Sequence, residues 1–227
     1  RLQTDYIDLY QIHWPDRYVP MFGATSYEVS QVHETTAIAE QLQALDDLVK
    51  LGKIRHIGLS NETPWGVTEF MRCADQSGLS KIVSIQNAYH LMNRSFENGL
   101  AEVCHHASIG LLAYSPLAFG HLTGKYLENP HAHGRLNLFP GFGQRYNKPN
   151  VPAASVEYVS IARTSGLIPA QMALAYARTR WFCSSVILGA TTLSQLKENL
   201  YSHALTLSPE VIAQIEDIHK RYPNPAP

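Results

Sequence analysis

The sequence predicts an α/β protein, most simply part of a β/α barrel, and three observations carry that prediction. Short apolar runs of strand length alternate with segments of helical spacing. Four of those runs end in polar side chains, at His13, Ser60-Asn61, Gln86-Asn87 and Ser115. No GxGxxG follows the first run, which counts against a doubly wound dinucleotide fold. In a β/α barrel all such strand ends share the rim where active sites are built.

Element by element, "YIDLYQI" (6–12) reads as a first strand, stopped by Trp14-Pro15. Ile38, Leu42, Leu45, Leu48 and Val49 then share one helical face, which Gly52 ends. A strand is expected at 54–60. Thr63 caps and Pro64 opens the next helix, and Gly78 closes it. After a strand at 82–86, Ser95 is expected to cap a helix carrying Leu100, Val103 and Ala107 as far as Gly110. Strands at 111–115 and 185–188 complete the set. Pro169 opens a helix with Met172 and Tyr176 on one stripe, Thr192 and Gln195 form a capping box before Leu196 and Leu200, and Ser208-Pro209 starts a last helix bearing Val211, Ile215 and Ile218. Roughly residues 116 to 152 read as one irregular segment rich in Gly, Pro, Asn and His, and loops of that length are usually functional or mobile.

The repeated β-α order makes parallel connections the simplest reading, with strands apolar on both faces because helices cover them. No repeat, low-complexity tract or linker divides the chain, so a single domain over 1–227 is expected. That gives about five strand–helix units, where a closed barrel has eight.

Composition narrows the function. With 45% hydrophobic and 16% charged residues the chain can build a real core, and a formal net charge of -1 offers no electrostatic case for nucleic acid or an anionic membrane. Cys73, Cys104 and Cys183 are too far apart for a CxxC site and read as reduced thiols, so a cytoplasmic setting is expected. No apolar run approaches the length of a membrane span. His105-His106 point to different helix faces and His131 and His133 lack a third ligand, so no metal site is expected. There is no GxSxG elbow.

"LYQIHWPD", "GKIRHIGLSNE", "IVSIQNAYHLMNRSFE", "LLAYSPLAFGHLTGKY" and "VILGATTLSQLKENL" together resemble the aldo-keto reductases, nearest the Tas-like branch related to potassium-channel β-subunits. The resemblance runs from the first residue nearly to the last. It implies an eight-stranded β/α barrel that moves hydride from NADPH to a carbonyl, with an aldehyde, ketone or aldose as substrate. By the same resemblance His13 hydrogen-bonds the substrate carbonyl, and Ser60, Asn61 and Gln86 hold the nicotinamide carboxamide. Tyr114 stacks on the nicotinamide. Ser115, Leu117, Gly120, Lys125 and Arg135 serve the pyrophosphate and its loop, and Gly189, Thr191, Gln195, Glu198 and Asn199 the adenosine-phosphate end. The chemistry of these side chains agrees: Asn and Gln match a planar amide, while "GATTLSQ" opens a helix whose N–H groups suit a phosphate. Taken singly, each has a plainer reading. Gln195 completes a capping box, Ser60-Asn61 ends a strand, and Lys125 is a solvated loop cation.

Family enzymes also carry an Asp, a Tyr and a Lys on their first three strand–helix units, where Lys and Asp tune the proton-donating Tyr. These would precede Arg1, and no motif here replaces them. The expectation is therefore a barrel opened on its N-terminal side, comprising strands 4–8 of the family fold. It keeps an NADP-type site but loses acid catalysis, and a homo-oligomer covers its exposed strand edges. Two other readings remain open. Asp16 and Glu62 could form a glycosidase pair across the rim, with Trp14, Trp65, Tyr89 and Phe119 as sugar platforms, although both carboxylates are as readily solvated loop residues. Alternatively the chain is a non-catalytic nucleotide-binding oligomer, which the absence of turnover would reveal.

Overall fold

In the computed structural model, which describes residues 3–139 and 141–227, five parallel strands form one sheet in the order β1-β2-β3-β4-β5. In chain order the elements are β1 (Ile7–Ile12), α1 (Ile38–Lys50), β2 (Ile54–Ser60), α2 (Pro64–Ser77), β3 (Ile82–Ala88), α3 (Leu100–Ala107) and β4 (Gly110–Tyr114). Then follow α4 (Lys125–Glu128), α5 (Arg135–Leu138), α6 (Asn150–Thr164), α7 (Pro169–Arg178), β5 (Cys183–Val186), α8 (Leu193–Tyr201) and α9 (Pro209–Arg221). This is the α/β architecture of a partial β/α barrel. Among the described residues no helix is long and apolar enough to cross a membrane.

The chain packs as two compact units. The first holds the chain up to Met21, Ser26–Asn87 and Glu97–Leu112. Here β2 pairs with β1 in continuous register and with β3 across a register shift at Ile57/Gly58. Glycine is required at that shift, because a Cβ on Gly58 would lie 2.6 Å from Ser84 Oγ and 3.0 Å from Gln11 Cγ. Leu42, Leu45, Ile57, Leu59, Val67, Phe70, Ile82 and Ile85 are buried and make its core. Thr63 accepts the Gly66 N–H at 3.3 Å, and Gly78 stops α2 in the left-handed conformation, so both ends of that helix lie where the sequence puts them. Ile7 and Tyr10 of β1 are exposed, so the first strand is not covered on both faces as expected.

The second unit holds Phe22–Thr25, Ala88–Phe96 and Ala113–Pro227. In it α6 packs on α7 and α9, and α7 packs on β5 and α8. Tyr89, Met92, Tyr158, Met172, Tyr176 and Ile215 fill the interior. The Tyr158 hydroxyl donates to Leu91 O at 3.0 Å, which satisfies a phenol that is otherwise sealed in.

Several elements depart from the sequence reading. Ser95 does not cap α3: its hydroxyl donates to Asn93 Oδ1 at 2.7 Å, and Gly99, with φ 82, stands one residue before that helix. The helix then ends on left-handed Ser108 rather than at Gly110. β5 lies two residues earlier than expected, although Ile187 N still donates to Ala113 O at 2.8 Å. The segment 116–152 contains α4, α5 and two 3-10 turns, and α6 begins within it. α6 is hard to see in the sequence because its buried face (Val151, Ala154, Ser155, Tyr158, Ala162) is largely small and partly polar.

Candidate functional site

In the first unit, hydrogen bonds at the C-terminal ends of the strands fix the orientation of amide side chains. Gln86, on β3, donates through Nε2 to Gln11 Oε1 at 2.9 Å, and Gln11 in turn donates to Leu59 O at 3.3 Å. Ser60, buried, donates to the Gln86 carbonyl at 2.7 Å. Asn61 follows β2 with φ 54, a left-handed backbone that non-glycine residues adopt at a cost. Its Nδ2 donates to His13 O at 2.9 Å and to Ser60 Oγ at 3.2 Å. His13 itself is exposed, with its ring stacked on Trp14 at 4.3 Å. Ser60, Asn61 and Gln86 therefore form one bonded group, tied to His13 through the latter's backbone.

In the second unit the strain gathers after β4. Ser115, Ala118 and Phe119 all have positive φ, and Gly120 reaches +103. The turn is held by Ala118 N to Ser115 O at 2.8 Å and by Gly120 N and Leu122 N to Leu117 O at 2.9 and 3.3 Å. A Cβ on Gly120 would sit 2.7 Å from Lys125 Cε, so this glycine gives the lysine its place. Lys125 Nζ donates to His133 O at 3.1 Å, and the Arg135 guanidinium lies 5.2 Å from the centre of the Phe119 ring.

Tyr114 closes β4. Burial raises its phenol above the ordinary range, while the hydrogen-bonded Arg145 guanidinium pulls it back. His90 is fully buried and pushed down to about 3, first by burial and then by Arg145 and His121. It therefore stays neutral: Nδ1 accepts the Met92 N–H at 3.2 Å, leaving Nε2–H to donate to the Tyr146 hydroxyl at 3.3 Å.

At the start of α8, Thr192 accepts the Gln195 N–H at 3.2 Å, and Gln195 Oε1 accepts from Thr191 N at 2.9 Å and Thr191 Oγ1 at 3.0 Å. Gln195 thus does organise the cap. Asn199 is buried and reaches Gly189 O at 3.4 Å. Glu198 is exposed, and its carbonyl accepts from Gln171 at 2.9 Å. A Cβ on Gly189 would meet no protein atom within 4 Å.

The aldo/keto reductase family model matches residues 1–220. The chain belongs to that family. Among its relatives it is 50% identical to the protein Tas of Escherichia coli over 228 aligned residues, covering all of this chain and 66% of Tas. It is 40% identical to an aldo-keto reductase of Babesia bovis, covering 99% of this chain and 84% of the relative. A third, an aldo-keto reductase of Alternaria alternata, is 30% identical over 98% of this chain and 55% of its own length. The chain thus spans somewhat less than two thirds of the length of Tas.

Membership in the aldo/keto reductases gives the glycosidase reading no support, and the side chains speak against it. Asp16 and Glu62 line one cavity of about 260 Å³ with Trp65. Glu62, however, is buried and bound by both ends of Arg17, at 2.5 and 3.0 Å, and takes the Thr63 N–H at 2.6 Å as well. A carboxylate so engaged is not poised to protonate a leaving group. Asp16 accepts the Thr36 N–H at 2.8 Å, and Tyr89 is sealed in the core against Phe182, so it offers no platform to a sugar.

Sequence reasoning missed Gln11, Arg17 and Arg145. Gln11 had a visible signal, an amide two positions before His13 in an apolar strand, on the face that Gln86 shares. Arg145 sits in the segment read as irregular and gave none.

Proposed function

We propose that this aldo/keto reductase chain binds NADP(H) and serves carbonyl reduction of an aldehyde, ketone or aldose. One observation carries the reading: the Gln11–Gln86–Ser60–Asn61 group presents fixed amides at strand ends, on a backbone strained at Asn61. Planar amides whose partners are already set suit the carboxamide of a nicotinamide. In the second unit Lys125 and Arg135 form no ion pair with a carboxylate among the described residues, as phosphate-binding cations should not. The N-terminal turn of α8 adds N–H groups aligned for an anion. Each unit by itself therefore suits one part of a dinucleotide phosphate, the amides of the first its carboxamide and the cations and α8 N–H groups of the second its phosphates; when bound, that cofactor would supply the hydride. Within the second unit Tyr114 is the candidate ring for the nicotinamide, and within the first His13 is the candidate donor to a substrate oxygen.

The test is an NADPH titration of the purified chain, read by nicotinamide fluorescence and by heat. Saturable binding that weakens by about tenfold in Asn61→Ala and Gln86→Ala is the expected result, each variant losing one to two hydrogen bonds. Absence of binding at millimolar NADPH sinks the proposal.

A further inference from the structure

The second unit carries basic residues beyond the two assigned to cofactor phosphates. Besides Lys125 and Arg135 it carries Arg145 and Lys148, and none of the four pairs with a carboxylate among the described residues. Lys148 is spoken for by Gly23 O at 2.6 Å. Arg145 is the unusual one. It is 8% exposed, its guanidinium lies 5.2 Å from the Phe22 ring centre, and it hydrogen-bonds the Tyr114 phenol. A buried guanidinium has five N–H donors and costs several kcal/mol to desolvate unless an anion meets it. Here its neighbours are an aromatic ring and neutral phenols and imidazoles: Phe22, Tyr114, Tyr146 and His90.

From this placement we infer that Arg145 is a substrate-recognition residue that binds a carboxylate, so that the carbonyl compounds reduced here are aldehydo or keto acids. The inference rests on the reading under Proposed function, in which Tyr114 marks the end of the site where the carbonyl is reduced. Lys125 and Arg135 are taken by cofactor phosphates in that reading, which leaves the anion facing Arg145 to the substrate. A carboxylate suits it, because one planar fork meets one planar monoanion.

The experiment measures binding of 4-carboxybenzaldehyde and of its neutral methyl ester to the full chain by calorimetry, each with and without saturating NADPH. Arg145→Met and Arg145→Lys are run alongside, with circular dichroism to confirm folding. The acid is expected to bind the native chain about tenfold or more tightly than the ester, as a charge-assisted bond implies. Arg145→Met should erase that preference, while Arg145→Lys, which keeps the charge but not the fork, should keep part of it. Equal binding of acid and ester to the native chain overturns the inference, as does a preference that survives in folded Arg145→Met. Should Arg145→Met not fold, the native comparison and Arg145→Lys decide. The two readings fail separately. NADPH binding without an acid preference removes only the substrate assignment. An Arg145-dependent preference without NADPH binding leaves a carboxylate site and removes the cofactor.

Discussion

Arg17 grips Glu62 with both ends of its guanidinium, at 3.0 and 2.5 Å, while only 3% of the Glu62 side chain is exposed. The same carboxylate takes the Thr63 N–H just before α2, and Asn87 brackets the Glu62 backbone, accepting its N–H at 3.2 Å and donating to its carbonyl at 2.9 Å. Gly66 makes room for this arrangement, since a Cβ there would run into the Glu62 carboxylate and Arg17. The pair is structural: it pins the chain after β1 to the chain after β2, next to Ser60 and Asn61.

Removing the arginine alone leaves a buried carboxylate without its partner. Arg17→Ala is therefore expected to lower stability by about 3 kcal/mol in urea unfolding, the usual cost of orphaning a buried charge. Arg17→Ala/Glu62→Gln should recover part of that loss. A double variant less stable than the single one would show that the loss does not come from leaving Glu62 without its Arg17 partner.

Gly120 offers a test that separates strain from position. Ala at 120 meets both an unfavourable φ of +103 and the Lys125 side chain, whereas Ala at Gly52, φ +68, meets nothing within 4 Å. Both substitutions should cost roughly 1–2 kcal/mol of stability through the backbone alone. Only Gly120→Ala should also weaken NADPH binding, because it displaces the lysine. Equal affinities in the two variants would free Lys125 of any role with phosphate.

His90 gives the second unit a pH-dependent stability. Its folded pKa of about 3 lies below the ordinary 6.5, so between those values the unfolded chain binds a proton that the folded chain refuses. Stability is accordingly full above pH 6.5 and falls as the pH drops towards 3, by at most about 1.4 kcal/mol per pH unit from this group. Burial lowers the His121 pKa as well, with the same sign. Urea midpoints from pH 7 to 4 should decline steeply in the native chain and less steeply in His90→Asn. Parallel profiles would place the acid sensitivity elsewhere.

How far the sequence could be read followed from the range of the interactions involved. Helix ends fixed by local chemistry were legible: Thr63, Pro64 and Gly78 do what their spacing predicts because each cap closes within four residues. Ser95 misled for the complementary reason, since its hydroxyl had a nearer acceptor in Asn93 and Gly99 reset the backbone. The strand-end residues Ser60, Asn61 and Gln86 were visible as an interruption of apolar runs. Their holders were not, because Gln11 reaches Gln86 across 75 positions and Arg17 reaches Glu62 across 45. The turn after β4 was recognisable by its glycines, but the left-handed backbone at Ser115, Ala118 and Phe119 is carried by residues whose types give no sign of it.

Gln11 is where that long reach can be tested. It touches Gln86 through one hydrogen bond and Leu59 O through another, and both ends of its amide are thereby assigned. If Gln86 orients a nicotinamide carboxamide, Gln11 acts by choosing which way the Gln86 amide faces. Gln11→Leu keeps the volume and the packing on Gly58 while releasing that amide to rotate. NADPH affinity should then fall by about threefold to tenfold, the cost of one neutral hydrogen bond, with little change in thermal stability. Gln11→Glu can only accept through its side chain, so it should keep the bond from Gln86 Nε2 and retain most of the affinity. The discriminating result is the order of the two variants. If Gln11→Glu binds as poorly as Gln11→Leu, the side chain at position 11 does not orient Gln86, and the strand-end amides are held by the backbone alone.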